Sequence, residues 1–588
     1  MPSIPIPTPV PGASPAVNGH AAAPSPFEAI GRQPRYPIQR PAQPLSYELA
    51  NHSKAYLESQ QYVSGFAFLD ALLSSGTSIS TPAKPYIALL APAPQLALAS
   101  TLIVYPETTT RATSHEDPKG ADAATQYLRS VHTTISPLND TVRSAYTFAY
   151  ERPRRRGGRA GSNSPVEDED DADRLYTPAA NAQALWVRAR DFWHVVGWAF
   201  NCSVTHKKRW ERWKLWLQLM LDYLEAEWVP RVKLRREEHV DAEKVLMESL
   251  IWHYISSDDP GNRSNRRRMV KAILAMGSAQ AMIQYPEVWK DETAEPKREE
   301  VDAELKNALA GQLVDYGHDE DAEMVDAPAP SRRARASPTK KSMPLEEDDE
   351  DDITIEDAAA AINRLGGIDA IRLRQRIIAL LAQVAQSLPS RFTTLSDFFD
   401  GLTEEMVRLP TILFEVLLST SSLLPAQQMA LNANLLLPLA SGQMPDYIRY
   451  DPQQSHLEET LLPMRATTHS FAANAKISLI LEQMFMLMMR QLKATVALRR
   501  TMETGVVARS SVHGTGRGKR GNAQEEEQAE RILKESHDRL FGLLEVLELS
   551  QGMEPQPMAE KSFDSIMTSS MSSAQSMSSP GGDIPEDD

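Results

Sequence analysis

The stretch 207-KKRWERWKLWLQLMLDYLEAEW-228 holds four of the chain's nine tryptophans behind a burst of positive charge. Trp210, Trp213, Leu217, Met220, Leu224 and Trp228 recur at intervals of three and four, which sets them on one stripe of a helix. Trp216, Leu219 and Tyr223 form a second stripe. Two apolar stripes predict a helix buried on two sides. The charges are sorted along it. Lys207, Lys208, Arg209, Arg212 and Lys214 crowd the start, and Asp222, Glu225 and Glu227 lie near the end. That order opposes the helix dipole, which is either cheap at the surface or a sign that a partner's negative charge sits at the start.

Working outward, all the tryptophans fall between Trp186 and Trp289. Tryptophan buries a large surface, so residues 179–290 read as the densest core. Helices are expected near 181–203, 207–228, 238–256 and 264–283. A second helical region spans 45–150, and a third spans 353–508. No run of period-two strands is evident. The expected fold is all-α, an irregular helical bundle or α-solenoid with helix pairs recurring between Pro- or Gly-marked turns.

Charged linkers separate these regions. At 151–178, basic "RPRRRGGR" gives way to six acids within Glu167–Asp173. At 291–352, "SRRARASPTKK" precedes seven consecutive acids, Glu346–Asp352. Neither composition favours packed structure. The Pro/Ala-rich segment 1–44 and the Ser/Met-rich tail 551–588 read as disordered. A Gly/basic linker at 509–524 leads to a tethered helix, 525–550, whose docking place is open.

Net charge is −16, which excludes a protein coated overall in basic charge but leaves local patches. The lone Cys202 rules out an intramolecular disulfide and fits a reducing compartment. The uncharged stretch 85-PYIALLAPAPQLALASTLIVYP-106 has the length of a membrane span. Pro92 and Pro94 near its middle instead predict two helices of a soluble bundle, and no membrane association is expected.

The candidate contact residues are basic. Lys207, Lys208, Arg209 and Arg212, with Arg266, Arg267 and Arg268, would form a rim over the tryptophan core, offered to a protein or to a polyanion. Arg154, Arg155 and Arg156, and Arg332, Arg333, Lys340 and Lys341, are candidate nuclear-import residues. Ser337, followed by Pro338 and a base at +3, resembles a cyclin-dependent kinase consensus; Ser164 is a minimal proline-directed site. Phosphate at Ser337 would cancel charge inside the basic run. Cys202 and His206 lack the further ligands that a metal site needs, and "GTGRGKR" (514–520) lacks the strand and Ser/Thr of a phosphate loop. No catalytic residue, cofactor or metal is expected. The sequence reads as a nuclear, non-enzymatic helical scaffold with protein partners. The alternative is a chromatin or RNA-processing factor that binds nucleic acid through the rim.

Overall fold

The computed structural model describes residues 39–80, 84–148, 173–237, 242–257, 259, 261–294, 357–442, 444–512 and 520–554. The described chain is mostly helical, with one two-stranded sheet. Buried apolar side chains from Leu45 to Leu547 make one continuous core.

The central Lys207–Glu237 helix runs nine residues beyond the quoted stretch, and Pro230 lies inside it. Both apolar stripes are buried, as their spacing predicts. Trp213 stacks on Trp289 at 5.9 Å and meets Trp216 edge-on at 6.1 Å. Burial favours an acceptor for an indole N–H, and most of these find one, although the Trp213 N–H has none among the described residues. Trp216 donates to Ser100 Oγ (2.9 Å), Trp193 to the Tyr254 carbonyl (2.9 Å) and Trp289 to the Gln183 carbonyl (3.0 Å).

The uncharged stretch departs from expectation. Its first half is a strand, β2 (Ala88–Leu90), and not a helix. β2 pairs in parallel with β1 (Ala42–Pro44), inside the segment expected to be disordered. Its second half is the buried Ala93–Val104 helix, which begins at the prolines. Proline is tolerated there because first-turn N–H groups have no helical partner. Arg40 fixes the preceding chain by donating to the carbonyls of Leu73 (2.6 Å) and Ser75 (3.0 Å).

Arg40 is one of several side-chain cations that close helix C-termini among the described residues. Arg209 donates to Val104 O at the end of the Ala93–Val104 helix (2.7 Å). Arg374 reaches the carbonyls of Ile273, Ala275 (2.9 Å) and Leu365 (3.3 Å), with its guanidinium 4.0 Å from the Phe200 ring centre. Lys476 Nζ donates to Val407 O (2.9 Å) and Leu409 O (2.7 Å), beyond the Leu395–Met406 helix. Arg509 donates to Leu462 O (2.9 Å) and Met464 O (3.0 Å), after the helical turn Leu457–Leu461. A helix end presents unpaired carbonyls and partial negative charge, so a buried cation finds its partner there.

Carboxylates treat N-termini in the same way. Glu525 accepts from the N–H (2.8 Å) and hydroxyl (2.9 Å) of Thr411, where the Thr411–Ser419 helix starts. Glu526 accepts from Phe471 N–H (2.7 Å) and from Ser470 at the head of the Phe471–Met488 helix. Both belong to the last helix, Arg520–Ser550, and their bonds give its docking place. Leu533, Leu540, Leu544 and Leu547 are buried along it. By length and composition Phe471–Gln491 is apolar enough to cross a membrane, and most of that stretch is buried within the fold.

Candidate interaction surface

The basic residues were expected on a rim, and Arg209 is not there. It is 2% exposed and pairs with Glu292 at 2.7 Å. Glu292 is equally interior and also accepts from the Trp198 indole. By composition its segment, at the start of 291–352, reads as linker. The sequence shows acids there but not that the chain folds back, with Trp289 set among the other tryptophans. The carboxylate near the head of the 207–237 helix thus belongs to this chain and not to a partner. Burial pushes the Glu292 carboxyl up to about 7, against the opposing pull of Arg209.

The other candidates are engaged to differing degrees. Lys207 is exposed and donates to the Ser203 carbonyl, Lys208 is exposed, and Arg212 pairs with Asp122 at 2.6 Å. On the Arg263–Ile273 helix, Arg266 donates to Gly261 O (2.7 Å) and Arg267 joins Arg263 on Glu404. Arg268 holds both oxygens of Asp191, at 2.7 and 2.6 Å. The two clusters meet different neighbours. Arg209 and Arg212 reach chain between Val104 and Asp122, whereas Arg267 and Arg268 reach Glu404 and Asp191. Arg154, Arg155, Arg156, Ser164, Arg332, Arg333, Ser337, Lys340 and Lys341 lie outside the described residues.

Cys202 is buried, and burial raises its thiol well above the ordinary range. Among the described residues no cluster of three or more His, Cys, Asp or Glu is placed to hold a metal.

A cleft of about 1270 Å³ lies elsewhere, beside β1. One wall is β1 with the start of the Tyr47–Glu58 helix. The other carries the short Asp140–Ala145 helix and the turn at Glu248–Ser249. Its apolar floor includes Leu90, Ala91 and Leu250. Asp140, Asp173 and Glu248 line it against one cation, Arg143, which donates to Asp140 (2.7 Å) and to the Glu248 carbonyl (2.9 Å). These residues are not evident in the sequence because they come from five separate segments. The Pro-rich extended composition around Ala42 is the only trace of them in the sequence.

Comparison of this chain with known protein families, with curated proteins and with solved structures finds no match.

Proposed function

We propose that this chain is a nuclear, non-enzymatic helical scaffold that brings protein partners together and is regulated by phosphorylation in its charged linker. One observation favours protein over nucleic acid as the partner. Four of the seven basic residues that would meet a polyanion are paired with carboxylates of the same chain, while Lys207 and Lys208 stay exposed. Arg209 is buried against Glu292, Arg212 meets Asp122, Arg267 meets Glu404 and Arg268 grips Asp191. Binding to phosphate would have to replace those contacts, and counterion release rewards only cations free to neutralise phosphates. Stacking of the tryptophans on nucleic-acid bases is disfavoured too, since five of them are among the largest fully buried side chains.

We read the arrangement as an irregular α-solenoid or bundle. Helices adjacent or next-but-one in the chain pack as neighbours, as 192–205 does on 207–237, 62–74 on 116–134 and 395–406 on 425–436. Such a fold offers extended surface along its length and does not by itself specify a function. The nuclear and phosphorylation parts rest on the linker sequences, with Ser337 inside one basic run.

The test is cross-linking mass spectrometry on complexes captured with the full chain from nuclear extract. The expected result is reproducible cross-links to defined proteins that survive nuclease treatment. Loss of every captured protein on nuclease treatment would overturn the reading in favour of a nucleic-acid factor. Localisation is tested by deleting 152–159 and 331–341 together. Exclusion from the nucleus is expected, and unchanged nuclear localisation would remove the import argument.

A further inference from the structure

We infer that the cleft beside β1 binds an extended, basic segment of a partner protein, which adds a strand to the open edge of β1. The inference rests on the scaffold reading and names the chemistry of one partner.

The open edge follows from the hydrogen-bond pattern. Pro41 accepts from Ala88 N–H (2.8 Å) and Leu45 donates to Leu90 O (3.2 Å), so residues 41, 43 and 45 turn toward β2. Alternation then turns the Ala42 N–H and C=O and the Pro44 C=O the other way, along the cleft wall. Among the described residues nothing is bonded to those three groups. A third strand is begun there and goes no further. Arg40 N–H donates to Thr134 O (2.8 Å), and Arg40 bridges Ile135 in the parallel sense. The chain next turns at Pro137 into the opposite wall of the cleft. Exposed backbone at a sheet edge is a template for an incoming strand, and proline is compatible with such an edge position.

Charge and shape select the occupant. The lining carries carboxylates at Asp140, Asp173 and Glu248 and the cation Arg143, so its formal charge is negative. Asp140 is 85% exposed and pairs with Arg143, and Glu248 is 53% exposed and meets Arg231 at 3.4 Å, so both keep a face open to a bound cation. The apolar floor and the exposed ring of Tyr47 suit alternate apolar side chains. A strand of alternating apolar and basic residues meets both demands, because its side chains point in opposite directions.

The experiment uses the full chain and a fluorescein-labelled dodecapeptide of alternating Arg and Val, followed by anisotropy. Saturable binding is expected, with none for the Glu/Val counterpart. A version N-methylated at alternate amides should bind about tenfold more weakly, because it cannot complete the ladder. Ala42→Pro removes the outward N–H while sparing the bonds to β2, and should weaken binding about tenfold with the melting temperature unchanged. Asp140→Lys with Glu248→Lys should weaken it further and flatten its salt dependence. Absence of saturable binding would overturn the inference, as would N-methylated and parent peptides binding equally. The peptide assay is independent of capture. Peptide failure with intact cross-linked complexes removes this site alone, whereas nuclease-sensitive capture removes the scaffold reading itself.

Discussion

Arg209 and Arg374 are both fully buried, yet each is neutralised differently. Arg209, in the tryptophan-rich region, has a carboxylate partner in Glu292 as well as the helix-end carbonyl of Val104. Arg374 has three backbone carbonyls and the face of Phe200, and Arg509 has two carbonyls. Burial lowers both Arg374 and Arg509 to about 9, which still leaves them charged at neutral pH. The difference teaches that a helix C-terminus can take the place of a counter-ion inside this core. It also means that the two arrangements should break differently.

The largest effect is expected at the ion pair. Arg209→Met strands a buried carboxylate and should cost about 3–5 kcal/mol, whereas Arg209→Met with Glu292→Gln should recover much of that loss. Arg374→Met strands carbonyls only, at about 1–3 kcal/mol, and no partner substitution should rescue it. Urea unfolding followed by circular dichroism checks both. Equal losses without rescue would erase the comparison.

Acidity should separate the two regions in sign. The folded protein holds the Glu292 proton up to about pH 7, while the unfolded chain releases it near 4.5. That contribution is complete below about pH 4.5 and is lost as pH rises through 7, by up to about 3 kcal/mol. His537 in the last helix does the opposite. Burial, and then the nearby Arg509, lowers it from 6.5 to about 3. Its contribution is present above pH 6.5 and is lost as pH falls toward 3. In urea midpoints measured across pH, Glu292→Gln should flatten the slope between 4.5 and 7, and His537→Gln the slope below 6.5.

Close approach gives a smaller contrast. A Cβ on Gly197 would sit 2.3 Å from the Tyr285 ring, whereas one on Gly505 would sit 1.8 Å from the Leu462 carbonyl oxygen. A ring can shift more easily than backbone. Gly505→Ala should therefore lower thermal stability more than Gly197→Ala, within about 1–3 kcal/mol for overpacking.

The smallest effect belongs to the surface. Glu404→Gln loosens Arg263 and Arg267, which are 73% and 44% exposed, and should cost about 1 kcal/mol or less.

Legibility in the sequence followed locality. The two stripes of the 207–237 helix, the break near Pro137 and the leucines of the last helix are periodic within one segment, and period alone exposes them. The parallel pairing of Ala42–Pro44 with Ala88–Leu90 joins segments more than forty residues apart and only three residues long, too short to show alternation. Arg209 and Glu292 are separated by 83 positions. Their pairing turned a residue read as rim into core, and one read as linker into its counter-ion. The cleft was hidden for the same reason, since no segment alone carries its pattern.

The central claim is that the basic clusters serve the fold rather than a polyanion. Its most direct test is binding of the full chain to duplex DNA and to RNA across a salt series, beside Arg266→Glu/Arg267→Glu/Arg268→Glu. The account predicts weak binding at physiological salt, a shallow salt slope, and little difference in nucleic-acid affinity between parent and variant while both stay folded. Tight binding with a steep slope, abolished in a folded triple variant, would contradict it.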